Sequence, residues 1–80
     1  MRLDKYLKVS RLIKRRTVAN KACDMSRVNV NGKPAKPSHD IKVGDLVEIT
    51  LGGKTLKIEI LIISEHALKD DAGNMYRVII

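Results

Sequence analysis

The sequence predicts an α+β fold in which an N-terminal two-helix hairpin packs on a small, largely antiparallel sheet. Three observations predict it. Apolar residues recur at helical spacing from Leu3 to Met25, the period falls to two from Arg27 onward, and the dipeptides Asn31-Gly32 and Gly52-Gly53 punctuate the alternating segments. Eighty residues form one domain, taken as 1–80. Hydrophobic content is 44%, enough for a folded chain, and with two Tyr and no Phe or Trp the core must come from Leu, Ile, Val and Ala.

Leu3, Tyr6 and Leu7 share one helical face, so helix one is expected from about Leu3 to about Leu12. Asp4 and Lys8 stand four apart as a favourable pair, and Arg2, Lys5 and Lys8 fall off the apolar stripe. Ile13-Lys14-Arg15-Arg16 turns the chain. Thr17 suits an N-cap, so helix two should run from Val18 to about Met25. Its apolar face is Val18, Ala19, Ala22 and Cys23, with Asn20 and Lys21 outside. Val28 and Val30 then alternate with Asn29 and Asn31 into a hairpin turn. The segment from Lys33 to Asp40 contains Pro34 and Pro37 and reads as irregular. Val43-Gly44-Asp45 turns into a strand from Leu46 to Leu51. Gly52-Gly53 leads to a strand from Lys54 to Ile63, with Leu56, Ile58, Ile60 and Ile62 on one face. Ser64 to Asn74 reads as a loop and Met75 to Ile80 as a last strand.

Catalytic chemistry finds no foothold in this pattern, and neither an enzyme nor a cofactor is expected. His39 and His66 lie in different loops without obvious partners. Gly52-Gly53-Lys54-Thr55 ends like a phosphate-binding loop, but Glu48 stands where the fuller motif needs Gly and a strand follows where it needs a helix. Asp70 and Asp71 alone make a weak metal site, so no metal is expected. The single cysteine excludes an internal disulfide, and Cys23 reads as a small buried thiol. Nothing resembles a signal peptide or a membrane span, which places the protein in the cytoplasm with no membrane partner.

Charge is the informative feature. Residues 1–42 carry twelve Lys/Arg and three Asp/Glu, a balance of +9, whereas residues 43–80 sum to −2. Charge runs are usually solvated surface, but interspersed acids would then be expected, and here they are scarce. The asymmetry points to a polyanion. The candidate RNA-binding residues are Arg2, Lys5, Lys8, Arg11, Lys14, Arg15, Arg16, Lys21, Arg27, Lys33 and Lys36. Aromatic stacking platforms are lacking beyond Tyr6 and Tyr76, and Tyr6 sits in the apolar pattern of helix one. Recognition of phosphate geometry in structured RNA therefore fits better than base stacking. A helix-turn-helix DNA reader is a weaker alternative, because helix two offers only Asn20 and Lys21 as outward base readers.

Arg2-Leu3-Asp4-Lys5-Tyr6-Leu7, Arg11 through Thr17, Val28-Asn29-Val30-Asn31-Gly32, Pro37-Ser38 and Val43-Gly44-Asp45 together resemble the S-four RNA-binding domain and its alpha-L motif, over about Met1 to Ile49. Among stand-alone members the chain resembles the bacterial ribosome quality-control family, relatives of the fifteen-kilodalton heat-shock protein. The resemblance implies binding to large-subunit ribosomal RNA and peptidyl-tRNA on large ribosomal subunits left obstructed after a stalled ribosome splits. It also implies support of an alanine-tailing factor that extends the stalled chain without mRNA. It places Arg2 and Arg16 most directly on RNA, with Lys5, Lys14 and Arg15 beside them, and gives Asp4 the role of orienting neighbouring arginines or the helix start. Alternatives within the same resemblance are a general ribosome- or tRNA-binding accessory and heat-shock-type large-subunit recycling. An appended enzyme domain is the least expected, since 80 residues leave no room for one. The chain departs from the family in having Ser26 where Gly often ends helix two, so a different turn is expected there. The charged tail common in the family after the last strand has no counterpart in these 80 residues, which leaves its role unassigned.

Overall fold

A computed structural model describes residues 1–64 and 73–79. Two helices, α1 (Leu3–Val9) and α2 (Arg16–Asp24), precede five strands: β1 (Val28–Val30), β2 (Lys33–Pro34), β3 (Leu46–Leu51), β4 (Lys54–Ile60) and β5 (Tyr76–Val78). The strands form one antiparallel sheet in the order β2-β1-β3-β4-β5. The expected α+β arrangement of a helical hairpin against an antiparallel sheet is the one found. Among the described residues, no helix is long and apolar enough to cross a membrane.

One register builds the core. Val30 lies opposite Val47, Val47 opposite Ile58, and Val28 opposite Ile49, so a single sheet face is aliphatic. Leu3, Tyr6, Leu7, Ala19, Ala22 and Cys23 close over that face from the two helices. The opposite sheet face is polar and internally neutral, with Glu48 beside Lys57, Glu59 bonded to Arg77, and Thr50 bonded to Thr55.

Several boundaries differ from the sequence expectation, each for a local reason. Helix α1 stops at Val9 rather than near Leu12, because Arg11 takes a left-handed φ of 62°. The chain then doubles back, the Ile13 amide donates to the Leu7 carbonyl at 3.1 Å, and the Ile13 side chain returns to the core. Thr17 is not a cap. Helix α2 begins two residues earlier, at Arg16 after Arg15, and its N-terminus has no side-chain cap. Val18 faces solvent, whereas Asn20, expected outside, turns inward. Lys33 and Pro34 pair with β1 as a short edge strand instead of joining the irregular segment. Strand β4 ends at Ile60. The amides of Leu61 and Ile62 both donate to the Met75 carbonyl, and Ile62 is left exposed. Strand β5 is confined to Tyr76–Val78, with Met75 in the core. His66, Asp70, Asp71 and Ile80 lie outside the described residues.

The turn after α2 keeps the geometry a glycine would give it. Ser26 adopts a φ of 58°, its amide donates to the Cys23 carbonyl at 3.0 Å, and the Arg27 amide donates to the Ala22 carbonyl at 2.9 Å. These two bonds close a Schellman motif around a left-handed residue. The expectation of an altered turn is thus corrected: serine accepts the strain. Because a side chain is disfavoured in that region, Ser26→Gly should stabilise the fold by about 0.5–1 kcal/mol. Urea unfolding checks this, and an unchanged midpoint would show that the turn carries no such cost.

Candidate nucleic-acid interface

The N-terminus of α1 is held by backbone. The Leu3 amide donates to the His39 carbonyl at 2.9 Å and the Asp4 amide to the Pro37 carbonyl at 3.1 Å. This places residues 37–39 under the start of the helix and sinks Asp4, whose side chain is 2% exposed. A carboxylate so buried needs partners. It accepts from Arg2 Nε at 3.1 Å and Nη2 at 3.3 Å, Arg16 Nε at 3.3 Å, Asn20 Nδ2 at 3.3 Å and the Lys5 amide at 2.8 Å. The expected Asp4–Lys8 pair gives way to this set. Burial pushes the Asp4 pKa up, but the bonds from Asn20, Arg16 and Arg2, with the Arg16 charge, outweigh it and leave the carboxyl below its ordinary value. One anion therefore orients two arginines, one at the N-cap of α1 and one in the first turn of α2, with net positive charge to spare. Their side chains stay 50% and 46% exposed, available to a ligand.

The second feature is the corner between the helices. Ile13 is its buried peg, and around it Arg11, Lys14 and Arg15 are exposed, continuing from Lys8 in the last turn of α1 to Arg16 at the start of α2. None of Lys8, Arg11, Lys14 or Arg15 forms an ion pair among the described residues. The positive end of the α2 dipole meets Arg15 and Arg16 with no acidic residue in the first turn. That local conflict lowers stability in the free protein and would be relieved by an anion.

The remaining candidates are more dispersed. Lys21 is exposed on α2. Arg27 is exposed just after the Schellman turn, its carbonyl accepting from the Thr50 amide at 2.8 Å. Lys36 shares a groove with Arg2 and Asn20, whereas Lys33 lines a separate cleft with Asn31 and His39. Lys5 is half-buried beside the Asp4 network. Asn20 was missed as a site residue. The available signal was its spacing four residues after Arg16, which puts both on one face of α2.

Nothing reactive accompanies these cations. Burial, then the charges of Asp4 and Asp24, pushes the Cys23 thiol up to about 11, so it stays protonated near neutrality. Tyr6 is fully buried with its hydroxyl donating to the Met75 carbonyl at 2.8 Å, and it cannot stack on a base. No group of three His, Cys, Asp or Glu side chains among the described residues could hold a metal.

Residues 1–47 match the family model of the S4 domain. The chain is 54% identical over 79 residues to the RQC P-site tRNA stabilizing factor of Streptococcus pneumoniae, covering 99% of this chain and 90% of that protein. It is 44% identical over 79 residues to the factor of the same name from Bacillus subtilis, covering 99% and 92%. Among solved structures it is similar to the trimeric Vibrio cholerae heat shock protein 15, with a TM-score of 0.90, 32% identity, and coverage of 98% of this chain and 80% of that one.

Proposed function

The chain belongs to the S4-domain family, and on that premise we propose that it is an RNA-binding, non-enzymatic factor of ribosome-associated quality control. In this reading residues 1–80 act as one unit in the cytoplasm. The unit binds large-subunit ribosomal RNA and P-site peptidyl-tRNA on obstructed large subunits, and it steadies the tRNA while an alanine-tailing factor extends the stalled chain. The observation that carries the reading is the unpaired cationic corner Lys8–Arg11–Lys14–Arg15, adjoining two arginines held ready by one buried carboxylate. Relatives named for stabilizing a P-site tRNA support tRNA as a ligand of that surface.

The charge geometry suits RNA backbone. If the surface contacts roughly six to ten phosphates, affinity should fall about 10³–10⁵-fold between roughly 50 and 200 mM salt. A major-groove DNA reader fits poorly, since Asn20 is tied to Asp4 and leaves Lys21 as the remaining outward reader that the sequence offered. A second reading, large-subunit recycling of the heat-shock type, draws on the likeness to heat shock protein 15.

Co-sedimentation with purified large subunits, with and without peptidyl-tRNA, tests the proposal. Binding should be tighter when the tRNA is present, and Arg16→Ala should weaken it about tenfold. Wild-type sedimentation by Arg16→Ala would count against the site. Binding indifferent to the tRNA would favour the recycling reading.

A further inference from the structure

Helix α2 is charged against its dipole at its N-terminus, and at its C-terminus the favourable Lys21 is opposed by an acid. The cations at its N-terminus suit phosphate, but the residue closing its C-terminus, Asp24, does not. Asp24 is exposed, forms no ion pair, and its carboxylate accepts no hydrogen bond among the described residues. Every other described acid has a partner: Asp4 with Arg2 and Arg16, Asp40 with the amino terminus, Asp45 with Asn31, Glu48 with Lys57 and Glu59 with Arg77. Asp24 also lines the groove that runs between the C-terminal half of α2 and residues 34–38, together with Arg2, Lys36, Pro34 and Pro37. An unpaired carboxylate in a cationic groove, at the helix end where it destabilises, is a local inconsistency of the kind that marks function.

We infer that this groove takes an unpaired guanine, its N1–H and N2–H₂ donating to the two oxygens of Asp24 while Arg2 and Lys36 hold the flanking phosphates. The inference rests on the RNA-binding reading and adds a base to it. Phosphate offers only acceptors, which Asp24 would repel. Guanine's Watson–Crick edge offers two adjacent donors that match a carboxylate in bidentate fashion, whereas adenine and cytosine each present one exocyclic amine there. The two prolines supply apolar walls for the base. A basic protein segment could pair with Asp24, but Arg2 and Lys36 in the same groove would repel it.

The test uses a hairpin RNA with one unpaired loop guanine, its inosine version lacking the N2 amine, and its adenine version, titrated by fluorescence anisotropy against wild-type protein and Asp24→Asn. Wild type should prefer guanine over adenine about tenfold, with inosine between them. Asp24→Asn should lose that preference, with an unchanged dependence on salt and an unchanged or higher melting temperature. Equal wild-type binding of guanine and adenine loops would overturn the inference. So would uniform tightening of all three by Asp24→Asn, which leaves the carboxylate a mere repulsive charge. So, too, would a defect on large subunits with none on the free hairpin, which assigns the groove to a ribosomal protein. In each of these cases salt-dependent RNA binding persists. Its loss for every hairpin would defeat the underlying reading as well.

Discussion

Replacing Asp4 with alanine is expected to lower the unfolding free energy by about 3 kcal/mol and to weaken RNA binding at the same time. The carboxylate is buried and accepts from Arg2, Arg16, Asn20 and the Lys5 amide, so its removal strands several donors at once. The arginines can turn to water, which keeps the cost below that of a fully enclosed pair. For a domain of this size the melting temperature should drop by about 10–25 °C. RNA affinity falls for a second reason: Arg2 and Arg16 regain rotamer freedom that binding must then remove. Acid offers a check on the same group. Its folded pKa lies below the unfolded value of about 3.9. The stabilisation is therefore full above that value and is lost as pH falls through the folded pKa. The stability gap between wild type and Asp4→Asn should accordingly narrow below about pH 4. Asp40, also held low by the amino terminus that hydrogen-bonds it, is common to both proteins and cancels. A gap that stays constant with pH would mean that the carboxylate's charge contributes nothing.

Arg15→Asp should move stability and binding in opposite directions. Arg15 occupies the N-cap of α2 with extended backbone angles of −121° and 131°, the geometry in which an aspartate caps well. The substitution supplies a missing cap and places an anion at the positive end of the dipole. It should stabilise the fold by about 1 kcal/mol. It also removes a cation from the corner and adds an anion, so RNA affinity should fall about 10–100-fold and the slope of log K against log salt should shrink by about 1. Thermal melts and anisotropy titrations on one preparation decide it. A variant that melts higher and still binds RNA like wild type would show that the corner does not meet the backbone.

The legible parts of this fold are those governed by short-range signals. The strand from Leu46 to Leu51 and the Gly52-Gly53 turn fall where the two-residue period and the glycine pair put them, because pleat and turn geometry involve neighbours in sequence. Asn31 and Gly32 both take positive φ, as that dipeptide prefers. The helix ends were less legible. Arg11 and Ser26 adopt left-handed conformations that their residue types do not announce, and the surrounding hydrogen bonds hold them there. Asn20 read as an outward residue on propensity alone, since nothing near it in sequence reveals a buried carboxylate 16 positions away.

From the sequence alone came the α+β order, the two glycine turns and the charge imbalance between the halves of the chain. These depend on composition and on periods of two to four residues. Tertiary structure decided which cations work together. Residues 37–39 seat the start of α1, that seating buries Asp4, and the buried charge must then draw Arg2, Arg16 and Asn20 to itself, because an unpaired anion away from water is unstable. Such a choice is made by neighbours in space, and a linear sequence does not display them.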